Sequence, residues 1–465
     1  MSANTYCKML IILICLQLTP LNAHEFDEII FRKSLAPAVQ FENYGMEFKL
    51  RDRMKYYGAS GVSIAVVKNK NLVFAKGYGT LAESSPNIVN EQTLFQAASL
   101  SKAVTALGIM HLVTTKQLSL DEPINNYLTS WEFEDRHKLT LRQLLSHTAG
   151  VNNASYPGYE QLEELPSTLD ILNGTKKIEP VRVVSPIGQY KYSGGGYSLL
   201  QLIIENVSKQ TFAEYMNSQL FKKFMANQST FEVIKYSDQP NIAKGHGYSG
   251  NAYPLGWFNY PQKAAAGLWS TPSDLARLLI AYMKAYQGID NTMMQATLAK
   301  ELSTVVDSKM GLGFGVHGNG IDLHIDHAGW TKGYRAYMVA FPERGDAVVV
   351  MANSNFSNRL IEEIMRSVSN QTEWSAYKSK KLALADWTKT EIENVVGVYR
   401  MEPAGFNVEI SQQADGFLTM KTPRGTTHQL YPISRDSLVM LEDGNVIRIL
   451  KNGQLYFWRM NARKI

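Results

Sequence analysis

Ser99 and Lys102 stand three residues apart in the run Ala98-Ser99-Leu100-Ser101-Lys102, just ahead of a stretch with helical apolar periodicity. Residues i and i+3 share one face of a helix, so the Lys102 amine can stand beside the Ser99 hydroxyl. An alcohol is a poor nucleophile until a base takes its proton, and an amine serves only in its neutral form, which desolvation and nearby positive groups favour. The pair therefore permits acyl transfer by a serine without a catalytic histidine. Ser-x-x-Lys also occurs by chance in many helices, so the rest of the chain has to decide.

Four other stretches bear on that decision. Leu144-Leu145-Ser146-His147-Thr148-Ala149-Gly150 ends an apolar helix and turns sharply, with His147 read as a structural residue that holds a helix end by hydrogen bonding. Tyr190 to Leu200 sets Tyr192 in a glycine-rich loop before a helix, where its phenol can pass a proton between Ser99 and a leaving group. Ala264 to Leu275 is a second tight turn into a helix, and His327-Ala328-Gly329-Trp330 leads into a strand predicted over Tyr334–Phe341. His324 and His327 lie near Asp322 and Asp326 without metal-ligand spacing, so neither a metal nor another cofactor is implied.

The elements that must position these residues follow from periodicity. Gly61–Val67 and Leu72–Gly79 are β-rich runs around a polar turn and predict a hairpin. Val104, Leu107, Met110 and Leu112 recur at helical spacing between Leu100 and Leu118, and further helices are expected at Tyr197–Val207, at Phe212–Phe224 and after Pro272. Asn152–Pro166 and Asn241–Pro261 read as irregular cleft rims, the latter with Trp257 in its wall. Strands return at Gly311–Val316, Tyr334–Phe341 and Asp346–Met351, followed by a helix near Arg359–Val368. This order predicts an α+β fold: a mainly antiparallel sheet assembled from both ends of a domain and flanked by helices, with a helical insertion. Beyond about residue 392, short β-rich runs alternate with turns at Asp415-Gly416, Asp443-Gly444 and Asn452-Gly453, and Tyr399, Phe406, Phe417, Tyr431 and Trp458 could fill a small C-terminal β-barrel.

With these pieces in this order, residues 35 to 370 resemble the penicillin-recognising serine hydrolases, specifically the class C β-lactamase and D,D-carboxypeptidase branch with its esterase and D-aminopeptidase relatives. The resemblance implies a β-lactamase/transpeptidase-like fold, Ser99 as the acylated nucleophile and Lys102 as its partner. It places the family's Tyr-x-Asn motif on Tyr192-Ser193-Gly194 and its Lys-Thr-Gly strand on His327-Ala328-Gly329, with the backbone N–H groups of Ser99 and Trp330 as oxyanion hole. Gly194, His327, Ala328 and Gly329 are thereby expected to contact substrate. Two departures matter: Gly194 removes a side-chain amide, and His327 replaces a fixed positive charge. Both tilt the expected reaction toward esters or D-amino amides. β-Lactamase or D,D-carboxypeptidase activity is the alternative, and a non-catalytic binder of cell-wall peptides is a third reading.

Composition sets the frame for that chemistry. The 465 residues are 45% hydrophobic and 19% charged with a formal net charge of +5, and no basic run is long enough to imply nucleic acid. Lys8 precedes the apolar stretch Met9–Leu18, and Ala23 offers a cleavage point, so residues 1–23 read as an export signal. Cys7 and Cys15 both fall within it, and no later stretch is long and apolar enough to span a membrane. The expected organisation is a signal over 1–23, a serine hydrolase domain over 24–375 and an antiparallel β domain over 385–465, located in the periplasm or secreted. A small ester, amide or peptide, such as one derived from the cell wall, is the expected partner.

Overall fold

The computed structural model describes Phe31 and residues 34–42, 47–83, 85–134, 138–235, 241–290, 292–372, 374–414, 416–423 and 425–465. The export signal read over 1–23, with both cysteines, and Asp415 of the barrel turn lie outside these residues. The architecture is mixed α+β, with an antiparallel sheet flanked by helices and a small closed barrel at the C-terminus.

Alternation of apolar residues on two faces decides the sheet. In β1 (Gly61–Lys68), Val62, Ile64 and Val66 enter one core while Ala65 and Val67 enter another, so both faces must be covered. A two-residue turn with Asn69 at φ 49° and Lys70 at φ 63° returns the chain into β2 (Asn71–Gly79), the left-handed pair that suits a twisted hairpin. The remaining strands come from far along the chain: β3 (Gly315–His317), β4 (His324–Thr331), β5 (Tyr334–Phe341) and β6 (Asp346–Ala352). The spatial order is β2-β1-β6-β5-β4-β3, all neighbours antiparallel, with Val62 of β1 opposite Ala352 of β6. Sequence reasoning placed a strand over Gly311–Val316, but pairing starts only at Gly315. The segment before it lies against a helix instead, where a Cβ on Gly313 would fall 2.4 Å from that of Ala106.

The helices between β2 and β3 form the insertion. Among them are α1 (Leu100–Thr114) and α2 (Gly194–Ser208), followed by α3 (Pro272–Tyr286), which lies on the sheet. α3 starts as the sequence predicts, with Pro272 in its first turn and the Thr271 hydroxyl accepting the Asp274 N–H at 3.1 Å. α2 starts three residues earlier than predicted. Three glycines weaken any helix signal, yet a Cβ on Gly194 or Gly195 would meet neighbouring backbone oxygens at 2.8 Å, so close packing requires them. α4 (Asn358–Thr372) packs on β5 and β6.

Eight short strands between Gly397 and Lys464 close into an antiparallel barrel, the last pairing with the first at Tyr399 and Lys464. Tyr399 is buried inside it, and Phe406 and Trp458 pack against its core. Phe417 and Tyr431, which sequence reasoning placed in the barrel filling, face the core of the six-stranded sheet instead. Tyr431 lies 5.1 Å from the Phe41 ring centroid, and the Tyr56 hydroxyl stands 2.8 Å from both the Thr427 carbonyl and Glu442 Oε1. Among the described residues no helix is long and apolar enough to cross a membrane.

Candidate active site

The site begins with a forced turn. The strand Phe95–Gln96 pairs with Trp269–Ser270, Ala97 donates its N–H to the Leu268 carbonyl at 2.9 Å, and Ala98 adopts φ 53° before α1 starts. A positive φ at a residue with a Cβ is uncommon and must be held by its surroundings. Ser101 holds it: its hydroxyl donates to the Ala98 carbonyl and accepts the Leu268 N–H at 3.0 Å. The turn leaves Ser99 at the amino end of α1.

Lys102 stands one turn further on and is 2% exposed. Its Nζ donates to Ser99 Oγ at 3.3 Å and to the Ala265 carbonyl at 2.7 Å. The Tyr192 ring centroid is 4.9 Å from that nitrogen and the Tyr197 ring centroid 5.7 Å. Among the described residues no carboxylate lies within salt-bridge distance of Lys102.

Strand β4 closes the other side. Gly329 permits its approach, since a Cβ there would sit 2.4 Å from the Ala97 carbonyl oxygen. His327 is buried, with Nδ1 2.7 Å from the Ala328 carbonyl, and burial together with the Lys102 charge pulls its pKa down to about 4. It is therefore neutral at pH 7. Trp330 projects outward, 61% exposed, with the Arg335 guanidinium 4.0 Å from its ring centroid. Burial draws the Arg335 pKa down to about 10, against the pull of Tyr248.

Ser99, Lys102, Tyr192, His327, Ala328 and Trp330 share one cavity of about 820 Å³. Gly194 and Gly329, expected to contact substrate, are not among the residues that line it. At Gly194, where the resemblance sets an asparagine amide, a Cβ would meet Tyr156 Cε2 at 2.7 Å, and the Tyr156 hydroxyl is tied to Ser198 Oγ at 2.8 Å. An aromatic ring thus fills the place of the amide. Tyr156, Tyr248, Tyr253 and Tyr260 give the wall its largely apolar character. They come from the two segments read as cleft rims, but Trp257 does not join them: it is 3% exposed and packs on Trp269 at 5.2 Å. Sequence reasoning also missed Asp326 on the wall. Burial opposes its ionisation, yet hydrogen bonds from His317 and Tyr337 hold its carboxyl below the usual value.

With this geometry in place, the family becomes plain. The sequence matches the beta-lactamase family over residues 47–367, more than half of the chain, and the protein belongs to that family. It is 23% identical to Protein flp of Staphylococcus aureus (strain MW2) over 342 residues, 69% of this chain and 65% of that protein. The chain thus spans a little under two thirds of the length of such curated relatives. Its fold resembles that of the octameric penicillin-binding protein homologue from Pyrococcus abyssi, with a TM-score of 0.63 and 22% identity, covering 89% of this chain and 98% of the other. A D-amino acid amidase from Ochrobactrum anthropi SV3, solved with D-phenylalanine, matches at a TM-score of 0.56 and 19% identity, covering 69% of this chain and 97% of the other. At these identities the two structures establish a shared fold of the penicillin-binding-protein and β-lactamase type.

Proposed function

We propose that the protein is an exported serine hydrolase that cleaves a small ester or amide through an acyl-enzyme at Ser99, as an esterase or D-amino-acid-specific peptidase. The observation that carries this reading is the buried Lys102 amine, hydrogen-bonded to Ser99 Oγ, beside Tyr192 and without a carboxylate partner. A binding protein has no need of such a group, because burying an amine without a counter-charge costs stability.

In this reading the Lys102 amine, acting in its uncharged form beside the Tyr192 phenol, takes the Oγ proton as Oγ bonds to the substrate carbonyl carbon. The carbonyl oxygen becomes an oxyanion held by the N–H groups of Ser99 and Trp330, where losing one donor typically costs about 3 kcal/mol. Collapse breaks the bond to the alcohol or amine, which departs with the proton relayed through Tyr192. Water then attacks the acyl-enzyme, and a proton returns to Ser99 along the same path.

The ring of Tyr156 over Gly194 and the neutral His327 favour esters or D-amino amides over β-lactams, because both remove polar anchors. β-Lactamase or D,D-carboxypeptidase activity is the second reading, favoured by Lys332 on the cavity wall, a cation suited to a carboxylate. The proposed organisation is an export signal over 1–23, leading to the periplasm or outside, a catalytic domain over 24–375 and the barrel domain over 385–465. Labelling with a fluorescent phosphonate, followed by mapping of the modified residue, is expected to mark Ser99, with labelling and turnover abolished in Ser99→Ala. Absence of label at Ser99 overturns the enzyme reading. A nitrophenyl ester, a D-amino anilide and a chromogenic cephalosporin then separate the substrate classes, and fastest turnover of the cephalosporin reverses the preference.

A further inference from the structure

His147 is a buried group packed on Tyr192 that the proposed reaction leaves unused. It is 1% exposed and adopts φ 59°, a conformation uncommon for residues with a Cβ, though less so for histidine than for most. Its carbonyl oxygen accepts the Lys191 N–H at 2.8 Å, and its Nδ1 accepts the Ser193 N–H at 3.0 Å. One residue therefore grips the chain on both sides of Tyr192. The imidazole also lies along the phenol, with ring centroids 4.4 Å apart and planes 37° from each other, and it sits 5.3 Å from the Tyr197 ring.

The clamp works only with a neutral ring. Nδ1 must accept, so the single ring proton is on Nε2, and Nε2 has no partner among the described residues. Burial, with the charge of Lys102 next, keeps the imidazole from protonating. We propose that His147 is a positioning residue: its carbonyl and Nδ1 together fix the Tyr192 loop so that the phenol is held against Lys102 and Ser99. This inference rests on the serine-hydrolase reading above.

The test uses the full chain and three variants, His147→Asn, His147→Phe and Tyr192→Phe, compared by melting temperature, steady-state kcat and KM on a nitrophenyl ester, and the rate of phosphonate labelling at Ser99. Asparagine tolerates positive φ and presents an oxygen near the position of Nδ1, whereas phenylalanine keeps the ring without the acceptor. His147→Phe is expected to lower kcat and the labelling rate by about 100-fold with little change in KM, the scale of loss that follows when a reacting group is misplaced by about 1 Å. His147→Asn is expected to restore most of that loss whatever its melting temperature. Should the phenylalanine variant not fold, His147→Leu replaces it. Equal impairment in the asparagine and acceptor-free variants overturns the inference, as does a folded acceptor-free variant with wild-type kcat. Failure of the parent reading looks different, since the unmodified protein would then neither label at Ser99 nor turn over ester.

Discussion

Two buried charge sites in this molecule are built on opposite principles. Near the barrel interface, Arg53 and Glu363 are 5% and 0% exposed in their side chains, and Nε of the arginine lies 2.9 Å from a carboxylate that also accepts the Tyr57 hydroxyl at 2.6 Å. At the cavity, Lys102 is just as buried but is met by a serine hydroxyl, a backbone carbonyl and two aromatic rings. A paired buried charge is costly to break, whereas an amine buried without a counter-charge costs stability, and on the proposed reading it exchanges a proton with Ser99. The contrast separates a site built to hold from the site proposed to react.

That contrast is sharpest when each site is disarmed. Lys102→Met is expected to reduce ester turnover by about 1,000-fold or more while leaving thermal stability equal or higher, because an uncompensated buried amine is removed. A lower melting temperature with intact turnover would place Lys102 among the structural residues. Glu363→Gln should do the reverse, costing about 3 kcal/mol in denaturant unfolding as Arg53 loses its counter-charge, with kcat per folded molecule unchanged.

A smaller effect comes from pH. His327 is neutral in the fold down to a pKa of about 4, against 6.5 for the free side chain. Between those values the unfolded chain binds a proton that the folded chain refuses, so this residue's contribution to stability is complete above pH 6.5 and declines as pH falls toward 4. The span corresponds to about 3 kcal/mol. Chemical denaturation of wild type and His327→Gln across this window should show the shallower slope in the variant, and parallel curves would dismiss the effect. Smallest is Tyr56→Phe, which leaves Glu442 of the barrel without its hydroxyl partner and should cost about 1 kcal/mol with no kinetic change.

The order of motifs was legible because it depends on residue type and local spacing. Ser99 and Lys102 share a helix face, the β1–β2 hairpin alternates, and Pro272 opens α3, all within a few residues. What stayed hidden depends on neighbours distant in sequence. Nothing local to Gly194 announces that Tyr156 occupies its missing side chain's space, and the two arms of His147 reach residues more than 40 positions away. The aromatic residues of the barrel illustrate the same limit. Alternation along a strand gives two faces but not which one a second domain covers, so Phe417 and Tyr431 could be assigned only once Phe41 was beside them.

The arrangement of the central sheet bears on how the protein comes into being. Val62 is opposite Ala352, so the first hairpin has no partner on that side until almost 300 further residues have been synthesised. Ser99 likewise leaves the ribosome more than 200 residues before Trp330, whose strand completes the cleft. Contacts of such separation form late and slowly. A nascent chain thus carries Ser99 and Lys102 without the strand that closes their cavity, and the proposed hydrolysis can begin only after the later strands have joined the sheet.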